Sequence, residues 1–134
     1  MDGSMYHIGA VSSRTALSLR TVRYYEEVGL VRPSGRSEGG FRLYTEADVQ
    51  RLLLVRALRP AELATGELAE LLELHERATR TDAGDETTEA AAARLDKLLD
   101  MAAERIRLKR ERLMAAELAV QLLRGPATGS EAST

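Results

Sequence analysis

The sequence of 134 residues has no cysteine, no tryptophan, a single phenylalanine and three prolines. Without cysteine, the chain can form no disulfide, no iron–sulfur cluster and no thiolate metal site. Aromatic residues make up only 4% of the chain and apolar residues 44%, a balance typical of a helix-rich protein with a thin core. No apolar run is long enough to span a membrane and no secretory signal is recognisable, so we expect a cytoplasmic protein.

Charge is unevenly divided along the chain, although the net charge is only −2. Residues 1–60 carry nine arginines and six acidic residues, residues 61–100 have a balance of −7, and residues 101–134 have a balance of +2. A polyanion responds to the local field of a protein more than to its total charge. The basic first block therefore favours a nucleic-acid partner.

The segment 18–44, SLRTVRYYEEVGLVRPSGRSEGGFRLY, predicts a short helix, a sharp stop and a β-hairpin. Ser18 is a good N-cap, and Gly29 provides a C-terminal stop. Pro33 prevents the helix from continuing. In the second hairpin strand, Phe41 and Leu43 alternate with Arg42 and Tyr44, so we expect the arginine and the tyrosine on the exposed side.

Exposed arginine and tyrosine side chains on this helix and hairpin predict a DNA-binding surface. The helix fits a major groove, and the hairpin suits phosphates or the adjacent minor groove. A solvated basic face is the alternative interpretation. The predicted DNA contacts are Arg14, Ser18, Arg20, Thr21, Arg23, Tyr24, Arg36, Gly40, Arg42 and Tyr44. Of the two adjacent tyrosines, 24 and 25, we expect one to point outward and one inward.

Four segments carry a family resemblance: YHIG at 6–9, SLRTVRYYEEVGL at 18–30, RSEGGFRLY at 36–44, and 48–59. They resemble the DNA-binding core of the MerR family of bacterial transcription regulators. The resemblance implies binding to an inverted repeat in a promoter with an overlong spacer, which is bent and untwisted so that RNA polymerase can align with it. The chain departs from the family pattern at Ala16, where glycine is usual, and at Pro60.

The predicted fold is mostly α: a winged helix-turn-helix DNA-binding domain with a small β-hairpin wing, then a long dimerisation helix in an antiparallel coiled coil. Its predicted parts are a flexible leader at 1–5, the winged domain with connecting helices at 6–80, a polar linker at 81–87, the coiled-coil helix at 88–124 and a disordered tail at 125–134. The first helix is expected from Tyr6 to Thr15, and Thr45 with Asp48 predicts a capping box at a later helix.

Apolar residues at alternating spacings of four and three predict a coiled-coil seam in the last helix. A helix with such a stripe requires a cover, and a second copy of the chain is the expected one. Lys109 interrupts the seam and is expected to snorkel or to fix the register. A second stripe (Leu98, Met101, Leu108, Leu122) is expected to contact the partner's DNA-binding half. The predicted dimerisation residues are Leu95, Leu99, Ala102, Ile106, Leu113, Ala116, Val120 and Leu123.

Other functions are less well supported by the residues. His75 suits the end of an apolar face better than a metal site, and the acidic residues between 82 and 89 suit a solvated linker better than a cation site. No cofactor is predicted, and nothing suggests an enzyme active site. A coiled-coil interaction module, or an architectural DNA-binding protein without effector sensing, is the alternative. The effector is unknown: a small molecule, a protein partner or none.

Overall fold

A computed structural model describes residues 4–80 and 86–126 of the chain. The elements in chain order are β1 (Met5–His7), α1 (Ile8–Thr15), α2 (Leu19–Glu27), β2 (Gly35–Arg36), β3 (Arg42–Thr45), α3 (Glu46–Ala57), a 3-10 turn (Arg59–Ala61), α4 (Thr65–Arg80) and α5 (Glu86–Arg124). The prediction of a mostly helical winged helix-turn-helix protein with a long C-terminal helix is confirmed.

Local capping sets the limits of the central helices. Ser18 caps α2, and Thr45 forms a full capping box with Asp48 at the start of α3, as predicted. Gly29 has a φ of 85° and follows α2, where a left-handed residue ends a helix at little cost. Ala16 follows α1 with a φ of 60°, so an alanine holds a conformation that suits glycine better.

Three short strands form an antiparallel sheet in the order β1-β3-β2. Tyr6 pairs with Tyr44 in the first ladder, and Arg36 pairs with Arg42 in the second. The expectation of a flexible leader through Met5 is wrong at that residue, because Met5 is paired with Thr45. The first helix starts at Ile8 rather than at Tyr6, since the preceding residues belong to this strand. Residues 1–3 lie outside the described part of the chain.

The inward face of β3 is the opposite of the one predicted. Tyr44 is fully buried, whereas Phe41 is 66% exposed and Leu43 is half-buried. The prediction that Tyr44 is exposed is therefore wrong. A period of two says which residues share a face, but the side on which helices pack decides which face is inward. Here Tyr44 joins a core with α1, α2 and α3, among them Val11, Val22 and Leu52.

Helix α4 adds Leu68, Leu71, Leu72 and Leu74 to the same core. His75, which was expected at the end of this apolar face, is exposed, and Leu74 takes the inward place. In the last turns of α4, the residue that faces the core is therefore Leu74 and not His75.

The first half of α5 packs on its own chain. Leu98 is fully buried and Ala102 is 3% exposed, both in the core that α4 completes. The predictions that Leu98 contacts a partner's head and that Ala102 lies in the dimer seam are therefore wrong. Lys109 pairs with Glu62 of the same chain, and its expected role in fixing the register stays a prediction. The chain's own head therefore covers Ala102 of the predicted seam and leaves its neighbours in the seam at least partly uncovered.

The second half of α5 extends beyond the head. Every residue from 111 to 124 is exposed, including Leu113, Val120 and Leu123 of the predicted seam. Nearer the head, Leu99 is exposed while Leu95 and Ile106 are half-buried. The helix begins at Glu86, two residues earlier than predicted. Residues 81–85 of the predicted linker and residues 127–134 of the predicted tail lie outside the described residues. None of the helices described in 4–80 and 86–126 is long and apolar enough to cross a membrane.

Candidate nucleic-acid interface

The start of α2 is fixed by two hydroxyl groups. The Thr21 amide donates to Ser18 Oγ at 3.0 Å, and Ser18 Oγ donates to Thr21 Oγ1 at 2.8 Å. This arrangement satisfies an amide of the first turn that would otherwise lack a partner. Both residues were predicted as DNA contacts, and that role stays a prediction. Their observed contribution is to set where α2 begins.

Helix α2 presents a basic outer face. Arg20, Arg23 and Tyr24 are exposed, whereas Val22 and Tyr25 face the core. The expected division of the two tyrosines is confirmed, since Tyr24 is half-exposed and Tyr25 is 7% exposed. Within the described residues, neither arginine of this face has a carboxylate at ion-pair distance. Their charge is therefore available to an anion from outside the chain.

Glu26 joins α2 to the hairpin. One carboxylate oxygen accepts from Arg42 Nε at 2.7 Å, and the other accepts from the buried Tyr44 hydroxyl at 3.0 Å. The Glu26 side chain is only 17% exposed, so water screens this contact less than a surface ion pair. The wing and the helix are therefore held in one arrangement. Sequence reasoning placed Glu26 on the helix but missed this role, because the two ends lie 16 to 18 residues apart.

The protonation states at this joint are stable at neutral pH. Burial, and then the hydrogen bond to Glu26, raise the pKa of Tyr44 to about 12. The hydrogen bond that Arg42 donates to Glu26 also raises the pKa of Arg42. The phenol therefore remains a donor and the guanidinium remains charged. Arg42 keeps 43% of its side chain exposed and can still face a phosphate while bound to Glu26.

The tip of the hairpin is a tight turn between Ser37 and Phe41. The Ser37 amide donates to the Phe41 carbonyl at 2.8 Å, and the Gly40 amide donates to the Ser37 carbonyl at 2.9 Å. Gly40 has a φ of 82°, which a larger residue would adopt only with strain. Arg36 Nη1 donates to the Gly40 carbonyl at 3.0 Å. The predicted contacts Arg36 and Gly40 thus lie together at the tip of the wing.

Arg14 lies in a different environment from the other predicted contacts. It forms a two-point ion pair with Glu46 at the start of α3, and its guanidinium carbon lies 5.3 Å from the centre of the Tyr6 ring. The hydrogen bonds from Arg14 and Gln50 lower the pKa of Glu46 to about 2. Arg14 therefore links α1 to α3, and its predicted proximity to a phosphate stays a prediction.

Metal ligation has no support in the described residues. No group of three or more His, Cys, Asp or Glu side chains is arranged there to hold an ion. The acidic positions at 82 and 85 lie outside residues 4–80 and 86–126.

A helix-turn-helix pair with an arginine-bearing outer helix, beside a hairpin joined to it through a carboxylate, defines a winged helix-turn-helix protein. Residues 6–75 match the model of the MerR HTH family of regulatory proteins, and this chain belongs to that family. It is similar to the HTH-type transcriptional regulator ZntR of Escherichia coli K12, with 40% identity over 70 residues, 52% of this chain and 50% of ZntR. The chain thus spans about half the length of that curated relative.

Solved structures extend the likeness along the long helix. A crystal structure described as a MerR family transcriptional regulator from Listeria monocytogenes has a TM-score of 0.68 and 27% identity, covering 96% of this chain and 92% of that one. HiNmlR, described as a MerR family regulator lacking the sensor domain and bound to promoter DNA, has a TM-score of 0.67 at 21% identity, covering 93% of this chain and 94% of its own. The second likeness concerns the fold alone.

Proposed function

We propose that this chain forms a homodimeric, sequence-specific regulator of transcription that binds an inverted repeat in a promoter. In this proposal α2 enters the major groove and the wing follows the backbone toward the adjacent minor groove. The arrangement of unpaired Arg20 and Arg23 on α2, beside a wing that Glu26 holds in place, carries the proposal. Family membership and the printed description of HiNmlR, a promoter-bound protein of the same fold, support it.

Dimerisation in this proposal uses the distal part of α5. Residues 113–123 are apolar at nine of eleven positions, and all of them are exposed in the single chain. A helix that is apolar on nearly all sides is normally buried. A second copy running antiparallel would cover it and hold two heads apart. Two half-sites about one helical turn apart, roughly 34 Å, would then be read on one face of the duplex.

Control of RNA polymerase follows from the family rather than from this chain's geometry. The proposal is that the dimer bends and untwists the promoter, with the deformation offset by wing contacts. RNA polymerase is then the second partner, and the effector is unassigned.

The direct test measures binding to a duplex recovered from a random-sequence pool by repeated rounds of selection. Arg23→Ala should weaken binding about tenfold or more, as expected for the loss of a base or phosphate contact. Arg56→Ala, at an exposed arginine of α3, is the matched control and should bind like the parent. Binding should also fall steeply between about 50 and 200 mM salt, by a factor set by the number of phosphates contacted.

Two results would contradict the proposed DNA binding. A coiled-coil interaction module would yield no enriched duplex at any salt concentration. Equal affinities of the parent, Arg20→Ala and Arg23→Ala would show that α2 does not contact DNA.

A further inference from the structure

The wing carries an exposed aromatic ring that the core does not use. Phe41, the only phenylalanine of the chain, is 66% exposed immediately before β3. Single exposed apolar residues are common on protein surfaces and by themselves indicate nothing. Phe41 differs from an isolated exposed apolar residue because hydrogen bonds hold its backbone and arginines lie beside its ring.

Its backbone is fixed by Ser37. The Phe41 amide donates to Ser37 Oγ at 3.2 Å, and the Phe41 carbonyl accepts from the Ser37 amide at 2.8 Å. Its ring lies against Gly39, where an added Cβ would come within 3.0 Å of the ring atom Cε2. The backbone of Phe41 is therefore held in place, and its ring rests along the hairpin tip.

A second ring supports the first. The centres of the His7 and Phe41 rings are 6.3 Å apart and their planes are inclined by 73°, an edge-to-face contact. Both rings line a notch of about 240 Å³ between the wing and the first two helices, together with Ile8, Arg23, Gly40 and Arg42. An apolar surface thus lies between a guanidinium on α2 and another on β3.

This combination matches the chemistry of a nucleic-acid backbone. The backbone alternates anionic phosphates, which arginines bind, with deoxyribose rings, whose carbon atoms offer only apolar contact. We propose that Phe41 packs against a deoxyribose of one strand at the minor groove, while Arg23 and Arg42 hold the flanking phosphates. His7 keeps the ring in place as a positioning residue. This inference rests on the proposed DNA-binding function and assigns a contact residue outside its arginine set.

The contact has a distinctive energetic signature. A phenyl ring releases no counterions, so its loss should lower affinity equally at every salt concentration. It also has no hydrogen-bond donor or acceptor for base edges, so the ratio of specific to non-specific affinity should stay unchanged. Loss of Arg23 should instead reduce the slope of log affinity against log salt by about 0.9 if it binds one phosphate.

The experiment compares the full chain with Phe41→Ala, Phe41→Tyr and Arg23→Ala on the selected duplex and on a scrambled one. Phe41→Ala should weaken both complexes about tenfold, in line with partial burial of one aromatic ring, with an unchanged salt slope. Phe41→Tyr keeps the ring and should retain the parent's affinity. Leu54→Ala removes another exposed apolar side chain, on α3, and should have no effect.

Hydroxyl-radical footprinting adds a positional readout, because these radicals attack deoxyribose hydrogens accessible from the minor groove. Phe41→Ala should lose protection at one short stretch in each half-site, and Phe41→Tyr should keep it. Parent-like affinity of Phe41→Ala, or a footprint identical to the parent's, would overturn the inference. So would a salt slope that falls as it does in Arg23→Ala. A parent that binds no duplex would overturn the proposed function and this inference together.

Discussion

The head of the protein and the distal half of α5 use apolar residues in opposite ways. In the head, side chains such as Val11, Val22 and Leu52 are fully buried, and the small sheet, helices α1 to α4 and the first half of α5 close the core within one chain. In the distal half, Leu113, Leu122 and Leu123 are 65%, 71% and 88% exposed. The two regions show that this chain closes one core by itself and leaves a second apolar surface uncovered. In the proposed dimer, a second copy of the chain covers that surface.

The first half of α5 packs as part of the head. Leu98 and Ala102 lie in the core. Arg105 donates to the Glu62 carbonyl at 2.9 Å, and Lys109 pairs with the Glu62 carboxylate. The boundary between the head and the exposed distal half of α5 therefore falls close to residue 110. Substitutions on either side of it should affect different properties, and four predictions follow from that division.

The largest effect is expected in the head. Leu52→Ala removes a fully buried side chain of α3 and should cost about 2–5 kcal/mol of unfolding free energy, measured by urea denaturation. Leu54→Ala on the same helix removes a side chain that is 45% exposed and should cost much less. Equal losses in the two variants would mean that the core is not where the structure places it.

The next largest effect concerns self-association. Val120→Asp places a charge in the exposed distal seam and should weaken the dimer about 100-fold, or about 2.8 kcal/mol, without unfolding the head. Sedimentation over a range of protein concentrations measures this constant. Gln121→Asp, one position along on a different side of the helix, is the charge-matched control. A parent that sediments as a monomer would mean that the exposed distal half of α5 does not pair with a second copy of the chain.

A smaller gain of stability is expected from Ala16→Gly. Alanine at a φ of 60° is strained, and glycine relieves that strain at the cost of more freedom in the unfolded chain. The net effect should be a gain of about 0.5–1 kcal/mol in the head, with self-association unchanged. Ala10→Gly, within α1, should have the opposite sign, because glycine weakens a helix interior by about 1 kcal/mol. Losses in both variants would contradict the left-handed assignment of Ala16.

The smallest effect is expected at the exposed pair of Arg14 and Glu46. The pKa of Glu46 is lowered from 4.5 to about 2, so its contribution to stability is present above about pH 4.5 and is lost as pH falls toward 2. The parent should therefore exceed Glu46→Gln in urea midpoint at neutral pH, and the difference should vanish near pH 2. A difference that persists at that pH would mean that the carboxylate is not responsible.

The sequence alone predicts the caps and stops well because each depends on a few adjacent residues. Ser18, the box of Thr45 and Asp48, and Gly29 all act as expected. It also predicts the period of the long helix, since a stripe repeats within the segment itself. These features predict the short helix, the hairpin and the long helix from local residues, whereas the winged helix-turn-helix fold was predicted from the family resemblance.

What the sequence did not predict is which neighbour covers a face. The alternation of β3 is correct, but Tyr44 rather than Phe41 turns inward because α1, α2 and α3 pack on that side. Apolar residues recur along α5 as predicted, but Leu98 and Ala102 are buried against the chain's own head, which the period alone does not indicate. Likewise, the sequence indicates only that Glu26 opposes the charge of the nearby arginines. The fold brings Arg42 and Tyr44 to its carboxylate.

The attachment of α5 to the head has a mechanical consequence. From Lys109 to Arg124 the helix projects about 22 Å beyond its last contact with Glu62, at about 1.5 Å per residue. A lever of that length converts a tilt of about 10° at its fixed end into a displacement of about 4 Å at its tip. In the proposed dimer, a slight change in how the two distal segments cross would move each head by a distance comparable to the rise of one base pair.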